Sequence, residues 1–252
     1  MVLAKGLSPT TARRVYATLH RALECALKWG VVYRNACDAA DAPREAHHEL
    51  DPPDRPIVKR LLERAMNGRH GAAFWLLAYT GMRRGEVCGV RRDDLDFERG
   101  VISIAGAVVR DNGSLEFVRP KSATSRRSIH IGVKTIAVLN THLAQQAQER
   151  LVLGAAYHDE GFVFAPPTGG LLDPDVLTKT WQQICTDEEV THTLRSLRHH
   201  HATALIEAGV HIKSVQARLG HSSPSLTMAV YSHVTPGMDE AAAEAYARAM
   251  SA

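Results

Sequence analysis

GVISIAGAVVRDNGSLEFVRPKSATSRRSIHI (residues 100–131) interrupts a chain whose pattern is otherwise mostly helical. Two β-rich runs, GVISIAGAVVR and SLEFVRP, flank DNGS, whose Asn-Gly pair is a strong hairpin signal. RRSIHI supplies a third strand. On the upstream side IVKRLLERAM and HGAAFWLLAYTG read as helices, the second ending at Gly81, and a further short helix starts at Met82. Downstream, from Gly132 to the end, the pattern is helical except for a short strand, FVF, at 162–164. The fold class that follows is mainly α with a small three-stranded antiparallel sheet (α+β). There is no internal repeat and no low-complexity tract.

The front of the chain is separate in character. SPTTARRVYATLHRALECALKWG has Ser8 as N-cap, Pro9 in the first turn, and Val15, Leu19, Leu23 and Leu27 near helical spacing, with Gly30 as the stop. A short second element follows. APREAHHELDPPDRP (residues 42–56) is proline-rich and polar and reads as a linker. The expected division is a helical region at 1–45, a linker at 46–56 and a main domain at 57–252. A helical piece of this size cannot bury a core alone. It is either half of a domain whose start is absent or a segment that leans on a partner.

The 252 residues are 45% hydrophobic and 23% charged, an ordinary globular mixture. No apolar run approaches the roughly 20 residues of a membrane span. The start, MVLAKGLSPTTARR, lacks the apolar middle of a secretory signal, so a cytoplasmic, membrane-free protein is expected. Cys25, Cys37, Cys88 and Cys185 are far apart and form no CxxC pair, as scattered reduced thiols would be. Net charge is only +3, but its distribution is uneven. Basic residues gather at Arg13 and Arg14, at Arg83 and Arg84, at Arg91 and Arg92, and around Arg119, Lys121, Arg126 and Arg127. Any one such pair is ordinarily solvated surface, whereas several clusters are the footprint of a polyanion partner.

Four stretches carry chemistry: TGMRRGEVCGV (80–90), VRPKSATSRRSIHI (118–131), LRSLRHHHAT (194–203) and LGHSSPSLTMAVYSHV (219–234). In this order and spacing they closely resemble the catalytic domain of the tyrosine recombinases, also called phage integrases. The resemblance runs from about Pro56 to Val234. The helical start with WGVVYRNACDAA resembles the second half of that family's core-binding domain.

The resemblance implies a DNA breaking-rejoining fold and a reaction needing neither metal nor ATP, since a covalent protein–phosphate ester conserves the bond energy. Tyr231 matches the nucleophile; taken alone, a tyrosine is ordinarily a half-buried core residue. Arg83 and Arg198 match the two arginines that bind the scissile phosphate, where permanently ionised planar guanidiniums suit the charge of the transition state. Glu86, three residues after Arg83, matches the supporting acidic residue. Lys121 matches the hairpin lysine that protonates the 5′-oxygen leaving group. His221 matches the position that hydrogen-bonds the phosphate, and His199 supports the site. Arg119, Arg126 and Arg127, with Arg13 and Arg14 in the first helix, are expected to meet the DNA backbone, and Arg84, which points elsewhere on its helix than Arg83, is either a surface residue or another such contact.

One position departs from the pattern. The family's HxxR motif reads Arg195-Ser196-Leu197-Arg198 here, so arginine stands where a histidine is usual. A guanidinium cannot accept a proton near neutral pH, but it can donate hydrogen bonds to phosphate and favour phenolate by its charge. Three adjacent histidines do not make a metal site, because neighbours on a helix diverge by about 100°. The expected partners are double-stranded DNA recombination sites and a homo-tetramer assembled on two of them, with accessory DNA-bending or directionality proteins. Two other readings stay open: an impaired DNA-binding remnant, and topoisomerase IB-like relaxation by the same chemistry. The tail, PGMDEAAAEAYARAM, reads as an amphipathic helix that packs on its own domain or on a neighbour.

Overall fold

The computed structural model describes residues 8–43, 53–119, 126–220 and 250. The chain divides into two compact units, Met1–Glu49 and Leu50–Ala252.

In the first unit, helix α1 (Pro9–Lys28) starts where the sequence places it. Ser8 caps it by accepting from the Thr11 amide at 3.2 Å, and Pro9 takes the first position. The helix ends at Lys28, and Gly30 follows with φ +71. The second element is a single 3-10 turn, Ala36–Ala39, capped by Asn35. The Tyr16 hydroxyl donates to Cys37 O at 2.9 Å and His20 Nε2 pairs with Asp38 at 2.9 Å, fixing the turn on α1. Among the described residues of this unit only Ala12, Asn35 and Cys37 are buried, and Val15, Leu19 and Leu27 stay exposed.

The second unit begins with α2 (Arg55–Met66) and α3 (Gly71–Thr80). Helix α3 is apolar almost all round, and it is buried on nearly every side. Gly81 closes it in the left-handed conformation, φ +66. Next come α4 (Arg84–Cys88), a 3-10 turn (Arg92–Asp94) and the strands β1 (Leu95–Asp96), β2 (Val101–Ser103), β3 (Ala107–Asp111), β4 (Ser114–Val118) and β5 (Ser128–His130). Four helices follow: α5 (Val133–Leu153), α6 (Pro174–Asp187), α7 (Leu194–Glu207) and α8 (Ile212–Leu219). The unit is mainly α with a small antiparallel sheet.

The hairpin forms where Asn-Gly predicts it. Asn112 and Gly113 both have positive φ, +45 and +89, and β3 pairs with β4 from Ala107↔Val118 to Asp111↔Ser114. The three-stranded sheet is a different one, in the order β1-β2-β5, with Ile102 opposite both Leu95 and Ile129. GVISIAGAVVR is therefore two strands, not one. The break lies at Gly106, where a Cβ would stand 2.3 Å from the Phe117 ring. The ring occupies the place a side chain would need, and the chain turns there from one sheet into the other. FVF does not form the expected strand. Phe162 makes a lone bridge with Arg91, and all three residues are buried at 2% exposure or less, so the segment is a core plug rather than a half-exposed strand.

Trp181 and Phe74, with ring centroids 5.3 Å apart, lie at the centre of the main core with Leu61, Leu76, Leu139, Leu177 and Leu197. Truncating Trp181 or Phe74 to alanine costs on the order of 3–5 kcal/mol. A smaller cluster, Ala202, Ile206, Val215 and Leu219, joins α7 to α8. It carries the end of α8 to the end of α3: a Cβ at Gly81 would meet Leu219 Cδ2 at 2.5 Å. Two helix C-termini thus meet at one point.

Candidate active site

That meeting point is surrounded by guanidiniums. The last carbonyls of an α-helix lack intrahelical partners and carry the negative end of its dipole. Here the last two carbonyls of α8 and that of Gly220, its C-cap, each take a bond from a different arginine. Arg127 Nε donates to Arg218 O at 2.7 Å, Arg198 Nη2 to Leu219 O at 2.7 Å, and Arg83 Nη2 to Gly220 O at 2.8 Å. Arg198 also donates through Nη1 to Gly81 O, at 2.5 Å, so it bridges the ends of α8 and α3. Burial, then the neighbouring Arg83 charge, lowers the Arg198 pKa to about 9, which leaves it protonated at neutral pH.

Among the described residues, Glu86 is the single carboxylate bonded within this cage. As third residue of α4 it accepts from the Arg83 amide at 2.8 Å, tying back the start of the helix, and from Arg83 Nη1 at 2.9 Å. Its other sites are filled by Arg127, Nη1 to Oε1 at 3.0 Å and Nη2 to Oε2 at 2.9 Å. Burial alone would raise the Glu86 pKa, but the bonds and charges of Arg127 and then Arg83 outweigh it and hold the carboxyl below its ordinary value. The Glu86 and Arg127 side chains are each only 7% exposed. Removing one partner of such a pair costs on the order of 3–5 kcal/mol.

Arg218 lies beside the cage, donating to His201 Nε2 at 3.1 Å, His130 O at 3.1 Å and Tyr79 O at 3.2 Å. Burial, then the Arg218 charge, pushes His201 down to about 4, so it accepts as a neutral ring. His199 is also held neutral, by burial and then by Arg195 and Arg198, and its buried Nε2 has no partner among the described residues. His200 Nδ1 meets Pro53 O at 2.9 Å. The three histidines thus diverge, and no metal-binding group forms among the described residues. Arg195 is exposed one turn before Arg198 and His199. Positive charge in excess of carboxylate, fixed by backbone oxygens, makes a site for an anion with several oxygens.

Of the residues selected from sequence, Arg83, Glu86, Arg195, Arg198 and His199 fall together here. Lys121, His221 and Tyr231 lie outside the described residues, as does the tail helix but for Met250. Arg127, expected at the DNA backbone, has its guanidinium turned inward onto Glu86. Arg84 is turned to α6, pairing with Asp175 at 2.8 Å. Arg119 and Arg126 are exposed and line an open concavity of about 620 Å³ with Ser103 and Ser128. A larger groove of about 800 Å³ runs from Arg83 past Arg110 to Asp173. In the first unit Arg14 is exposed and Arg13 donates to Pro43 O at 3.0 Å. Arg91 and Arg92 are structural: Arg91 lies 4.8 Å over the rings of Phe117 and Phe162, and Arg92 binds Asp159. Sequence reading missed Arg218 and His201. A basic residue in the last turn of a helix was the available signal for Arg218.

The chain as a whole is similar to several known proteins. The tyrosine recombinase XerC-like protein of Caldanaerobacter subterraneus subsp. tengcongensis is 29% identical, the match covering 92% of this chain and 64% of that protein. The chain thus spans less than two thirds of that relative's length. Among solved structures, the Tn1549 transposon integrase in complex with transposon right end DNA superposes with a TM-score of 0.80 at 23% identity, covering 96% of this chain and 80% of that one. A lambda integrase tetramer bound to a Holliday junction gives 0.62 at 16% identity, covering 90% and 60%. The family model described as the phage integrase family matches residues 56–238, and the chain belongs to that family.

Proposed function

We propose that the protein is a site-specific DNA recombinase acting through a 3′-phosphotyrosine intermediate. The observation that carries this reading is the convergence of Arg83, Glu86 and Arg198 on the paired ends of α3 and α8, in a chain of this family. The Tyr231 oxygen forms a bond to phosphorus while the bond to the 5′-oxygen breaks. Lys121 gives its proton to that oxygen, and the phenolic proton leaves to solvent, since Arg195 cannot take it. Arg83, Arg198 and His221 stabilise the charge gathered on the non-bridging oxygens. Rejoining reverses these steps with a 5′-hydroxyl from another strand. None of this calls for a metal, a nucleotide or another cofactor.

The substrate is double-stranded DNA carrying recombination sites. A homo-tetramer on two paired sites, with accessory proteins setting direction, completes the proposal; the lambda integrase tetramer on a Holliday junction supports it by kinship. Residues 1–45 serve as part of a core-binding region, 46–56 as linker and 57–252 as catalytic domain, in a cytoplasmic protein. Among the described residues no helix is long and apolar enough to cross a membrane.

The test is a nicked substrate taken from the flanks of the source gene, which lets the cut fragment diffuse away. The protein accumulates a covalent adduct, with or without EDTA, and Tyr231→Phe binds the same DNA without forming one. Binding with no adduct from the unaltered protein supports the DNA-binding remnant instead. Relaxation of a plasmid lacking any recombination site supports topoisomerase-like action.

A further inference from the structure

We propose that Arg127 is a positioning residue for cleavage, which keeps Glu86 from neutralising Arg83. The inference rests on the recombinase reading above and adds a residue that acts on the phosphate-binding arginine without touching phosphate.

The geometry is a matter of shared bonds. A carboxylate offers about four acceptor sites, and a carboxylate alone with one arginine closes both oxygens on that guanidinium's fork. Glu86 does not do so with Arg83. It takes one bond from the Arg83 amide and one from Nη1, while Arg127 fills the remaining site on each oxygen. Arg83 Nη2 is thereby left to reach Gly220 O at 2.8 Å, on the side where Arg198 meets Leu219 O. One negative charge is divided between two guanidiniums, so the cage keeps a net positive charge for an incoming phosphodiester.

Arg127 is itself held from three sides. Its carbonyl accepts from the Ile104 amide at 2.9 Å, extending the β2–β5 ladder. Its Nε donates to Arg218 O at 2.7 Å, and its fork closes on Glu86. Gly220 packs against it so closely that a Cβ there would stand 2.8 Å from Nη1. At 7% side-chain exposure it is enclosed, unlike Arg83 at 47%. Without Arg127, Glu86 would close on Arg83 with both oxygens and draw its fork away from the phosphate side.

The experiment measures single-turnover adduct formation on the nicked substrate for the unaltered protein, Arg127→Ala, Glu86→Gln and the double variant. The unaltered protein forms adduct; if it does not, the recombinase reading fails and the Arg127 proposal falls with it. Arg127→Ala slows adduct formation by about 10- to 100-fold, the usual effect of removing a residue that orients a functional group. Its affinity for the intact duplex stays within about threefold, because no phosphate contact is lost. Free guanidinium at sub-denaturing concentration restores part of the rate. In the Glu86→Gln background, where no carboxylate remains to neutralise Arg83, the same substitution costs less than about threefold. Should Arg127→Ala not fold, Arg127→Lys serves, since one ammonium cannot close both bonds. An unchanged rate in the folded variant overturns the proposal. So does an equal loss with Glu86→Gln already present, which would make Arg127 a direct phosphate ligand.

Discussion

Arg198 on α7 donates to the carbonyl of Gly81, the residue that ends α3, at 2.5 Å. The bond ties the guanidinium to a backbone oxygen that no helical partner satisfies, and a second bond ties it to Leu219 O. Lysine at this position keeps a charge but cannot span two oxygens in a plane. Arg198→Lys is expected to slow adduct formation by about 100-fold or more while leaving duplex affinity nearly unchanged. Gel quantification of adduct beside a binding titration checks both halves.

Gly220 and Gly209 form a matched pair. Both have positive φ, +65 and +78, so alanine carries a similar backbone cost of about 1–2 kcal/mol at either. At Gly209 a Cβ meets nothing within 4 Å, whereas at Gly220 it meets the Arg127 guanidinium. Gly209→Ala is expected to lower Tm by a few degrees without changing the cleavage rate of folded protein. Gly220→Ala is expected to lower both. Equal cleavage rates in the two variants would contradict the packing described for Arg127.

His201 gives stability a pH dependence of definite sign. Its folded pKa, about 4, lies below the ordinary 6.5, so from pH 6.5 downward the unfolded chain binds a proton that the folded one refuses. Stability therefore falls as pH drops from 6.5 to 4, by about 3 kcal/mol for this ring alone, and the contribution flattens below 4. His70, His142, His199 and His200 are lowered too and act in the same direction. Urea melts across that window should show the decline, and His201→Gln should make it shallower.

Arg195 predicts a pH–rate profile. With no proton acceptor at that place, adduct formation by the unaltered protein should keep rising with pH above 7 as the phenol loses its proton more readily. Arg195→His supplies an acceptor near neutrality and should flatten the rise. A profile already flat in the unaltered protein would mean that another group takes the proton.

The readings that succeeded from sequence rest on local rules. Asn112-Gly113 gives its turn, Ser8-Pro9 its cap and Gly81 its helix stop without help from the rest of the chain. What sequence could not show depends on residues far along it. Arg127 looked like one more surface cation because its partner, Glu86, lies 41 residues away. Arg91 and Arg92 read as a basic patch, and only the fold brings Phe162 and Asp159 to them. Gly106 breaks a run of β-formers because the Phe117 ring folds back over it. Arg83, Glu86 and Arg198 could be selected together because their motifs come in a recognisable order, although no local rule places α3 and α8 end to end.

The central claim is a bond between one phenolic oxygen and one DNA phosphorus. Mass spectrometry of the digested adduct measures it directly. The account predicts a tryptic peptide containing Tyr231 that carries a nucleotide through its 3′-phosphate, with the opposite strand end left as a 5′-hydroxyl. A nucleotide on any other side chain, or one joined through a 5′-phosphate, would contradict it.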